Sequence, residues 1–247
     1  MPHVALITGA TGGIGRATAV ALIEQGWDVY ATDLRAGDLP ASARFIPADL
    51  ADPHAPERIV TQALQSAGRL DLLVNNAAAQ AIGPITRVDA QTIDRLMAVN
   101  VRAPMLLIRH AAEALTRAKG SIVNIASVHA AATSRDISIY AATKGALLAL
   151  TRAAALELAP AVRVNAVLPG ATDTPMLRDG LSRDHAGTGD LVARLNHLAA
   201  RHPLHRVASP SDIAQAVLFL ADNAKASFIT GQSLTVDGGA LARLSTE

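Results

Sequence analysis

Short apolar segments alternate along this chain with longer amphipathic segments. The apolar segments are rich in Val and Ile and lie at residues 4–7, 28–32, 70–75, 121–126, 162–167 and 233–236, with a further strand near 44–46. Near-continuous hydrophobicity of this kind is typical of parallel β-strands that helices cover on both faces. The pattern therefore predicts a doubly wound α/β fold forming one domain over residues 1–247, with right-handed crossovers. Only the stretch at 33–43 is too short, and too interrupted by Pro40, for a full crossover helix.

The composition argues against several classes of function. The chain has no Cys, which excludes disulfides, thiolate metal sites and a cysteine nucleophile. Its net charge of +1 and its scattered basic residues argue against a nucleic-acid partner. No apolar run reaches the ~18 residues of a membrane span, and the first apolar segment is too short for a signal peptide. We therefore expect a cytoplasmic protein with no membrane partner. We also expect no metal, because His185, His197, His202 and His205 lack compact ligand spacing.

A glycine-rich turn follows the first apolar segment. Residues 8–15 read TGATGGIG and lead directly into an amphipathic helix. Glycine lets the backbone turn sharply and approach a pyrophosphate, whose charge is met by the N–H groups of a helix N-terminus. A glycine turn before a helix also often serves packing alone.

An acidic residue follows the glycine-rich turn at a distance that suits contact with a ribose. Asp33 ends the second strand, 18 residues after Gly15, where a carboxylate can bond both ribose hydroxyls of an adenosine. Such a carboxylate would repel the 2′-phosphate of NADP, so NAD is favoured, although Arg16 and Arg35 are near enough to soften the preference. The alternative role of Asp33 is a solvated carboxylate at a strand end.

Two later turns fit the same ligand. Asp49 follows the third strand and could meet the adenine amino group. Its competing role is to cap a helix near Pro53, for which Asp52 is better placed. Asn75 and Asn76 end the fourth strand, where contact with a ligand and simple turn formation are equally good interpretations.

A long helix is predicted over Ser138–Leu158, because the segment consists mainly of good helix formers and Pro160 stops it. Tyr140 and Lys144 then lie one turn apart on the same face. A phenol beside an ammonium group can transfer a proton if a substrate reaches it. Taken alone, the pair is more typical of a solvated Tyr and a Lys that packs its stem on apolar surface.

Two more polar residues stand out. Asn100 lies among apolar residues in a helix predicted at 89–116, shortly before Pro104, where it could cap or kink the helix or hold a water. Ser127 follows the strand at 121–126, at the edge where open α/β sheets bind ligands. A single Ser there also serves commonly as a turn former or helix cap.

Taken together, these motifs resemble those of the short-chain dehydrogenase/reductase family, of the short type with a single Rossmann-like domain. The resemblance covers almost the whole chain. It rests on TGATGGIG at 8–15, NNAA at 75–78, Asn100 in VNV, Ser127 placed 13 residues before Tyr140, YAATK at 140–144, PGATDTP at 169–175 and GQSLTVDGG at 231–239. Ala78 stands where the family usually has glycine, a departure that removes no catalytic group.

The resemblance implies a role for each residue. Tyr140 would be the general acid/base, Lys144 its electrostatic partner and a ligand of the nicotinamide ribose, Ser127 the donor to the substrate oxygen, and Asn100 the anchor of a proton-relay water. Lys144 and an oxidised nicotinamide would lower the pKa of Tyr140 towards neutrality. The implied substrate-binding residues are Ser127, His129 and Tyr140, and the implied cofactor-binding residues are Thr8, Gly9, Thr11, Gly13, Ile14, Gly15, Asp33, Asp49, Leu50, Asn76, Ala77, Tyr140, Lys144, Pro169, Gly170, Thr172 and Thr174. The family also implies a homotetramer with paired long helices.

The region at about 171–207 has several glycines and dispersed charges, which is typical of a mobile lid. The resemblance places this lid over the nicotinamide and a small-molecule substrate. His129, Arg178, Arg183 and His185 are candidates for contact with a polar or anionic substrate. Each is equally interpretable as a solvated surface group.

These observations favour an NAD-dependent dehydrogenase that acts on a secondary alcohol, such as a cyclic alcohol, diol or sugar. A first alternative is an NADPH-dependent reductase of 3-oxoacyl groups on a carrier protein, against which Asp33 counts. A second alternative, from another class, is a dinucleotide-binding sensor without turnover. The presence of all four residues Asn100, Ser127, Tyr140 and Lys144 counts against the sensor.

Overall fold

The predicted apolar segments form one parallel sheet. The structure, a computed structural model, describes residues 2–181 and 190–242. The strands of this part of the chain are β1 Val4–Thr8, β2 Asp28–Asp33, β3 Arg44–Pro47, β4 Leu72–Asn75, β5 Ser121–Ile125, β6 Arg163–Pro169 and β7 Ser233–Val236. Their order is β3-β2-β1-β4-β5-β6-β7, and every pairing is parallel. All carboxyl ends therefore meet at one edge of the sheet.

The strand order reverses beside β1, which pairs with β2 on one side and with β4 on the other. Crossovers on the two sides of such a point run away from each other and leave a crevice at the carboxyl ends of the strands. The fold thus opens a crevice where Thr8 ends β1 and Asn75 ends β4.

Helices cover both faces of the sheet. In the described residues they are α1 Gly13–Glu24, α2 Ala55–Ala67, α3 Ala90–Met97, α4 Ala103–Ala118, α5 Ser138–Leu158, α6 Pro175–Leu181, α7 Leu191–Ala200 and α8 Pro210–Ala221. The bounds of α5 are those predicted, and no helix joins β2 to β3. A reciprocal capping box of Ser209 and Asp212 begins α8, as its sequence indicates.

The helix predicted at 89–116 is interrupted. A π-helical turn, Ala98–Arg102, separates α3 from α4, and the N–H of Ala103 bonds the carbonyl of Ala98, five residues back. Pro104 has no N–H, so the α-helical bond to the carbonyl of Asn100 cannot form. The sequence showed the break at Pro104 but not its type.

Two hydrophobic layers fill the space between sheet and helices. One includes Leu107 and Ile59, beneath α4 and α2. The other includes Leu22 and Val217, beneath α1 and α8. Each fully buried aliphatic side chain contributes about 1.5–3 kcal/mol. These layers make the sheet edge a rigid base for the polar residues at the crevice.

Within the described residues, no helix combines the length and the apolar character that crossing a membrane requires.

Candidate active site

The turn between β1 and α1 packs so tightly that it requires glycine. Gly9 has a φ of +62°, and a Cβ there would lie 2.7 Å from the Cα of Ala77. A Cβ on Gly15 would lie 2.2 Å from the carbonyl oxygen of Gly9. The turn after β1 therefore lies directly against the chain that leaves β4.

The N-terminus of α1 suits an anion. Gly12 is the N-cap, no described side chain caps the helix, and its first turn carries no acidic residue. The first N–H groups of such a helix and the positive end of its dipole favour a phosphate. The glycine turn and this helix end therefore fit the pyrophosphate of a dinucleotide.

Thr8 and Asn76 brace the turn. The hydroxyl of Thr8 accepts from the N–H groups of Asn76 and Ala77, each at 3.0 Å. The amide of Asn76 donates to the carbonyls of Thr8 and Gly9, both at 2.9 Å. Asn75 is buried, and its amide donates to Asn124 Oδ1 at 2.8 Å. Asn75 therefore serves the core, whereas Asn76 holds the glycine turn.

Asp33 is held in place by Thr11. Its Oδ2 accepts from the hydroxyl of Thr11 at 2.7 Å and from the Thr11 N–H at 3.1 Å. Arg16, which the sequence placed near Asp33, instead pairs with Asp38 at 2.8 Å. The carboxylate of Asp33 thus lines the crevice without an ion pair to Arg16.

Asp49 also lies at the crevice. Its Oδ1 accepts from the Ala51 N–H at 2.9 Å, and its Oδ2 lies 3.7 Å from Arg95. The predicted cap at Asp52 is displaced, because α2 begins at Ala55 with His54 as its N-cap. Asp52 instead accepts from the N–H of His54 and pairs with a nearby arginine.

Three of the predicted catalytic residues converge where β5 ends. Ser127 follows β5, while Tyr140 and Lys144 lie in the first two turns of α5. The Nζ of Lys144 donates to the carbonyl of Ile125 at 2.7 Å and lies 5.4 Å from the ring centroid of Tyr140. Tyr140 and Lys144 are 8% and 2% exposed. This spacing on a buried helix face places a phenol, an ammonium group and a hydroxyl together.

Burial controls the ionisation of the pair. It raises the pKa of Tyr140 to about 12, and the hydrogen bond with Ser127 opposes this only in part. Burial also lowers the pKa of Lys144 to about 7. The pKa of Tyr140 in the protein alone is therefore raised, not lowered as expected, because burial is the dominant effect. A further positive charge in the crevice would favour the phenolate.

Asn100, the fourth predicted catalytic residue, is 1% exposed. Its amide oxygen accepts from the Ala79 N–H, and its amide nitrogen donates to the Ala79 carbonyl, both at 2.8 Å. The nitrogen also donates to the hydroxyl of Thr143 at 3.0 Å, which in turn donates to the carbonyl of Tyr140. The side chain of Asn100 therefore ties α5 to the chain that leaves β4.

These residues surround a cavity of about 780 Å³ at the carboxyl edge of the sheet. Most of the predicted site residues line it, namely Gly9, Gly13, Ile14, Asp33, Asp49, Leu50, Asn76, Ala77, Ser127, His129, Tyr140, Lys144, Pro169, Gly170, Thr172 and Thr174. The other four, Thr8, Thr11, Gly15 and Asn100, lie behind the wall and position residues that do line it.

Comparison with known proteins agrees with this geometry. A family model described as enoyl-(acyl carrier protein) reductase matches residues 9–240. A cis-4-hydroxycyclohexanecarboxylate dehydrogenase from Sinomonas cyclohexanicum is 36% identical, over 96% of each chain. The chain belongs to the short-chain dehydrogenase/reductase family.

Solved short-chain dehydrogenase/reductase structures have the same architecture. The aldohexose dehydrogenase of Thermoplasma acidophilum superposes with a TM-score of 0.93 at 32% identity, over 99% of this chain and 96% of that one. A 3-ketoacyl-(acyl-carrier-protein) reductase from Brucella melitensis, complexed with NADH, superposes with a TM-score of 0.83 at 32% identity, over 96% and 98% of the two chains. The predicted fold, family and oxidoreductase class are confirmed, and the family binds nicotinamide dinucleotides.

Within the region predicted as a lid, residues 171–181 and 190–207 are described, and they differ in part from the expectation. Arg178 forms two bonds with Asp173, at 2.9 and 3.1 Å, and does not line the cavity. Arg183 and His185 lie outside the described residues. Gln80 lines the cavity and donates to the carbonyl of Met176 at 2.9 Å, so it joins the chain after β4 to α6.

Several residues that line the cavity were not predicted from the sequence, namely Gln80, Arg95, Thr133, Ser134, Leu198 and Arg201. His202 also lines the cavity, although the sequence suggested for it only a metal-ligand role, which was rejected. None of them belongs to a motif, and their positions depend on tertiary packing. His129 lines the cavity, and the centroid of its ring lies 5.9 Å from that of Tyr140 in an edge-to-face contact, while its contact with a substrate stays a prediction. Across residues 2–181 and 190–242, no cluster of three or more His, Asp or Glu side chains could hold a metal ion.

Proposed function

We propose that this protein is an NAD-dependent dehydrogenase of secondary alcohols in which Tyr140 is the general acid/base. One observation carries the proposal: Ser127, Tyr140 and Lys144 open onto the same cavity as the glycine turn and Asp33. A dinucleotide held at one end and a proton-transfer group at the other are the two parts that alcohol oxidation needs.

The cofactor would be held by the residues that line the cavity from the glycine turn to Thr174, with Asp33 at the adenosine ribose and Lys144 at the nicotinamide ribose. The nicotinamide supplies the hydride acceptor or donor. The protein positions the alcohol carbon and handles the proton. Asn100 contributes by keeping α5, and hence Tyr140, at a fixed distance from the chain after β4.

Tyr140 suits proton transfer in both directions. Because burial raises its pKa, the phenol is protonated at neutral pH and can donate a proton to a carbonyl oxygen during reduction. During oxidation the phenolate must form, and positive charge beside it lowers the cost of its formation. The hydroxyl of Ser127, bonded to Tyr140, is placed to share the substrate oxygen.

The choice of NAD over NADP rests on Asp33. Thr11 fixes this carboxylate at the cavity wall, and Arg16 is engaged with Asp38. A 2′-phosphate would bring negative charge beside it. Replacing Asp33 with Ala should lower the NAD-over-NADP ratio of kcat/KM by about 10-fold or more, since juxtaposed like charges cost several kcal/mol. Glu24→Ala is the matched control, because Glu24 is an exposed carboxylate at the end of α1 that does not line the cavity. An unchanged ratio in Asp33→Ala would remove this basis for NAD.

The function itself is tested by screening the protein with NAD and with NADP against cyclic alcohols, diols, sugars and 3-hydroxyacyl thioesters, following the absorbance of the reduced nicotinamide. We expect NAD-linked oxidation of at least one cyclic alcohol, diol or sugar. The Sinomonas relative is named for a cyclic alcohol and the Thermoplasma relative for a sugar, which supports this expectation. NADPH-linked turnover of 3-oxoacyl thioesters alone would favour the carrier-protein reductase. Binding of NAD without turnover of any substrate would favour the sensor.

The protein is further proposed to assemble as a homotetramer. Leu156, in the long helix α5, is 82% exposed, and Phe228 is fully exposed. Large apolar side chains at such positions are commonly covered by a partner subunit. Light scattering coupled to gel filtration should give the mass of four chains, and the mass of one chain would contradict the proposal. The cytoplasmic location inferred from the sequence stays a prediction.

A further inference from the structure

The carboxylates of the cavity lie at one of its ends. Among the described residues they are Asp33, which ends β2, and Asp49, which follows β3, with Arg95 beside Asp49. Arg201 and His202 also line the cavity. A Cβ on Gly238, just after the edge strand β7, would lie 3.6 Å from His202, which places His202 near the other end. In the described part of the chain, the cavity wall near β7 therefore contains no carboxylate.

His202 is a fixed part of this wall. It is 6% exposed, and its Nδ1 lies 2.8 Å from the carbonyl of Leu198. A carbonyl only accepts, so Nδ1 carries the proton and Nε2 is the nitrogen left for another partner. A buried, hydrogen-bonded imidazole on the lining of the cavity is more than a solvated surface group.

Arg201 differs from the other arginines of this region. Arg178 and Arg206 form paired bonds with Asp173 and Asp212. By contrast, no described residue forms an ion pair or side-chain hydrogen bond with the guanidinium of Arg201, which lines the cavity. Its charge is therefore available to a ligand that enters the cavity.

The distance between the two groups limits the size of such a ligand. Ser127 follows β5, and only β6 separates β5 from β7. Neighbouring strands lie about 4.8 Å apart, so the ends of β5 and β7 are about 10 Å apart. A single ring or a short chain would span this distance from a hydroxyl at Ser127 to the side of the cavity near β7.

We propose that the substrate is a small hydroxycarboxylate whose hydroxyl meets Ser127 and Tyr140 and whose carboxylate meets Arg201. This inference rests on the proposed function and names its substrate class. The carboxylate takes no part in the oxidation, in which the secondary alcohol loses a hydride to NAD and a proton to Tyr140 and becomes a ketone. The planar fork of Arg201 matches the two oxygens of a carboxylate, which a carboxamide of the same shape cannot replace.

The test compares 4-hydroxycyclohexanecarboxylate with its carboxamide, using NAD and four forms of the full chain. The forms are the wild type, Arg201→Gln, Arg201→Lys and the matched control Arg178→Gln. Wild type should prefer the carboxylate in kcat/KM by about 10- to 100-fold, the worth of one hydrogen bond to a charged group. In Arg201→Gln the kcat/KM for the carboxylate should fall while that for the carboxamide stays the same, so the preference disappears. Arg201→Lys should keep part of the preference, and Arg178→Gln should keep all of it.

A binding measurement supports the kinetics. In the presence of NAD, cyclohexanecarboxylate should raise the Tm of the wild type and of Arg178→Gln, but not that of Arg201→Gln. Cyclohexanecarboxamide should leave all three unchanged.

The outcomes separate the two proposals. Equal use of both probes by the wild type, or oxidation of uncharged alcohols with neither probe used, would overturn the hydroxycarboxylate and leave the dehydrogenase intact. An equal loss on both probes in Arg201→Gln would make Arg201 a structural residue and overturn its role in recognition. Absence of NAD-linked oxidation of any alcohol would overturn the proposed function and this inference with it.

Discussion

The cavity has two walls that are built in different ways. The sheet wall consists of the carboxyl ends of β1, β4 and β5 with the first turns of α5, and its catalytic side chains are buried and hydrogen-bonded. The lid wall consists of α6, α7 and the Arg201–His202 pair, and α7 has no buried residue. Buried polar groups hold their positions because the loss of a partner is costly, whereas an exposed helix opens and shifts easily. Under the proposed function, the sheet wall would determine the chemistry and the lid wall would determine the substrate.

The largest effect is expected at Tyr140. Tyr140→Phe removes only the hydroxyl, so kcat should fall by about 10³- to 10⁴-fold, near the upper range for a general acid/base. Binding of NAD, measured by calorimetry, should not change. In the lid wall, Leu198→Ala should act mainly on KM. A loss of kcat in Leu198→Ala as large as that in Tyr140→Phe would contradict the assignment of chemistry to the sheet wall and of substrate choice to the lid wall.

The next effect concerns stability and compares two asparagines. Asn100→Ala leaves the N–H and the carbonyl of Ala79 without their partner, and each unpaired buried group costs about 1–3 kcal/mol. We therefore expect the free energy of unfolding in urea to fall by at least about 2 kcal/mol. Asn196→Ala, on the exposed face of α7, should change it by less than about 0.5 kcal/mol. Similar losses of unfolding free energy in Asn100→Ala and Asn196→Ala would contradict the inference that the sheet wall is more rigid than the lid wall.

A further effect is a pH dependence within the sheet wall, which changes by a limited amount with each pH unit. Lys144 has a pKa of about 7 in the folded chain and 10.5 as its ordinary value, so between these pH values the unfolded chain binds more protons. Stability should therefore rise with pH across this range, by at most about 1.4 kcal/mol per pH unit from this group.

The comparison variant is Lys144→Met, measured by urea unfolding from pH 7 to 9.5 without added dinucleotide. Tyr140 does not disturb this range, because its raised pKa removes stability only as the pH rises from 10 towards 12. The wild-type stability should increase relative to Lys144→Met as the pH rises. A constant difference between the two would show that Lys144 keeps its ordinary pKa.

Most of the sheet wall could be predicted from the sequence, because its signals are local. The helix formers of α5 and the stop at Pro160 determine its two ends, and these in turn place Tyr140 and Lys144. The turn at Gly9 is equally visible, since only glycine tolerates the required φ and the close approach of Ala77.

The remaining features depend on residues that are distant in sequence or on packing. Thr11 holds Asp33 by a hydrogen bond between residues 22 positions apart in the sequence, and no motif predicts this contact. Nothing in the sequence around Arg178 and Arg201 predicts that their environments differ. In the fold, Arg178 forms an ion pair with Asp173, whereas Arg201 lines the cavity. The raised pKa of Tyr140 also escaped prediction, because the extent of burial is a property of the assembled fold.

The brace between Thr8 and Asn76 has a consequence for protein synthesis. The glycine turn obtains its shape from bonds across 68 positions, and Thr8 bonds the chain after β4 through its own hydroxyl. A nascent chain that has not yet emerged as far as β4 holds the whole glycine motif without the partner that shapes it. The glycine turn therefore gains its shape only after β4 has joined β1, so the first strand and its turn cannot form this part of the crevice by themselves.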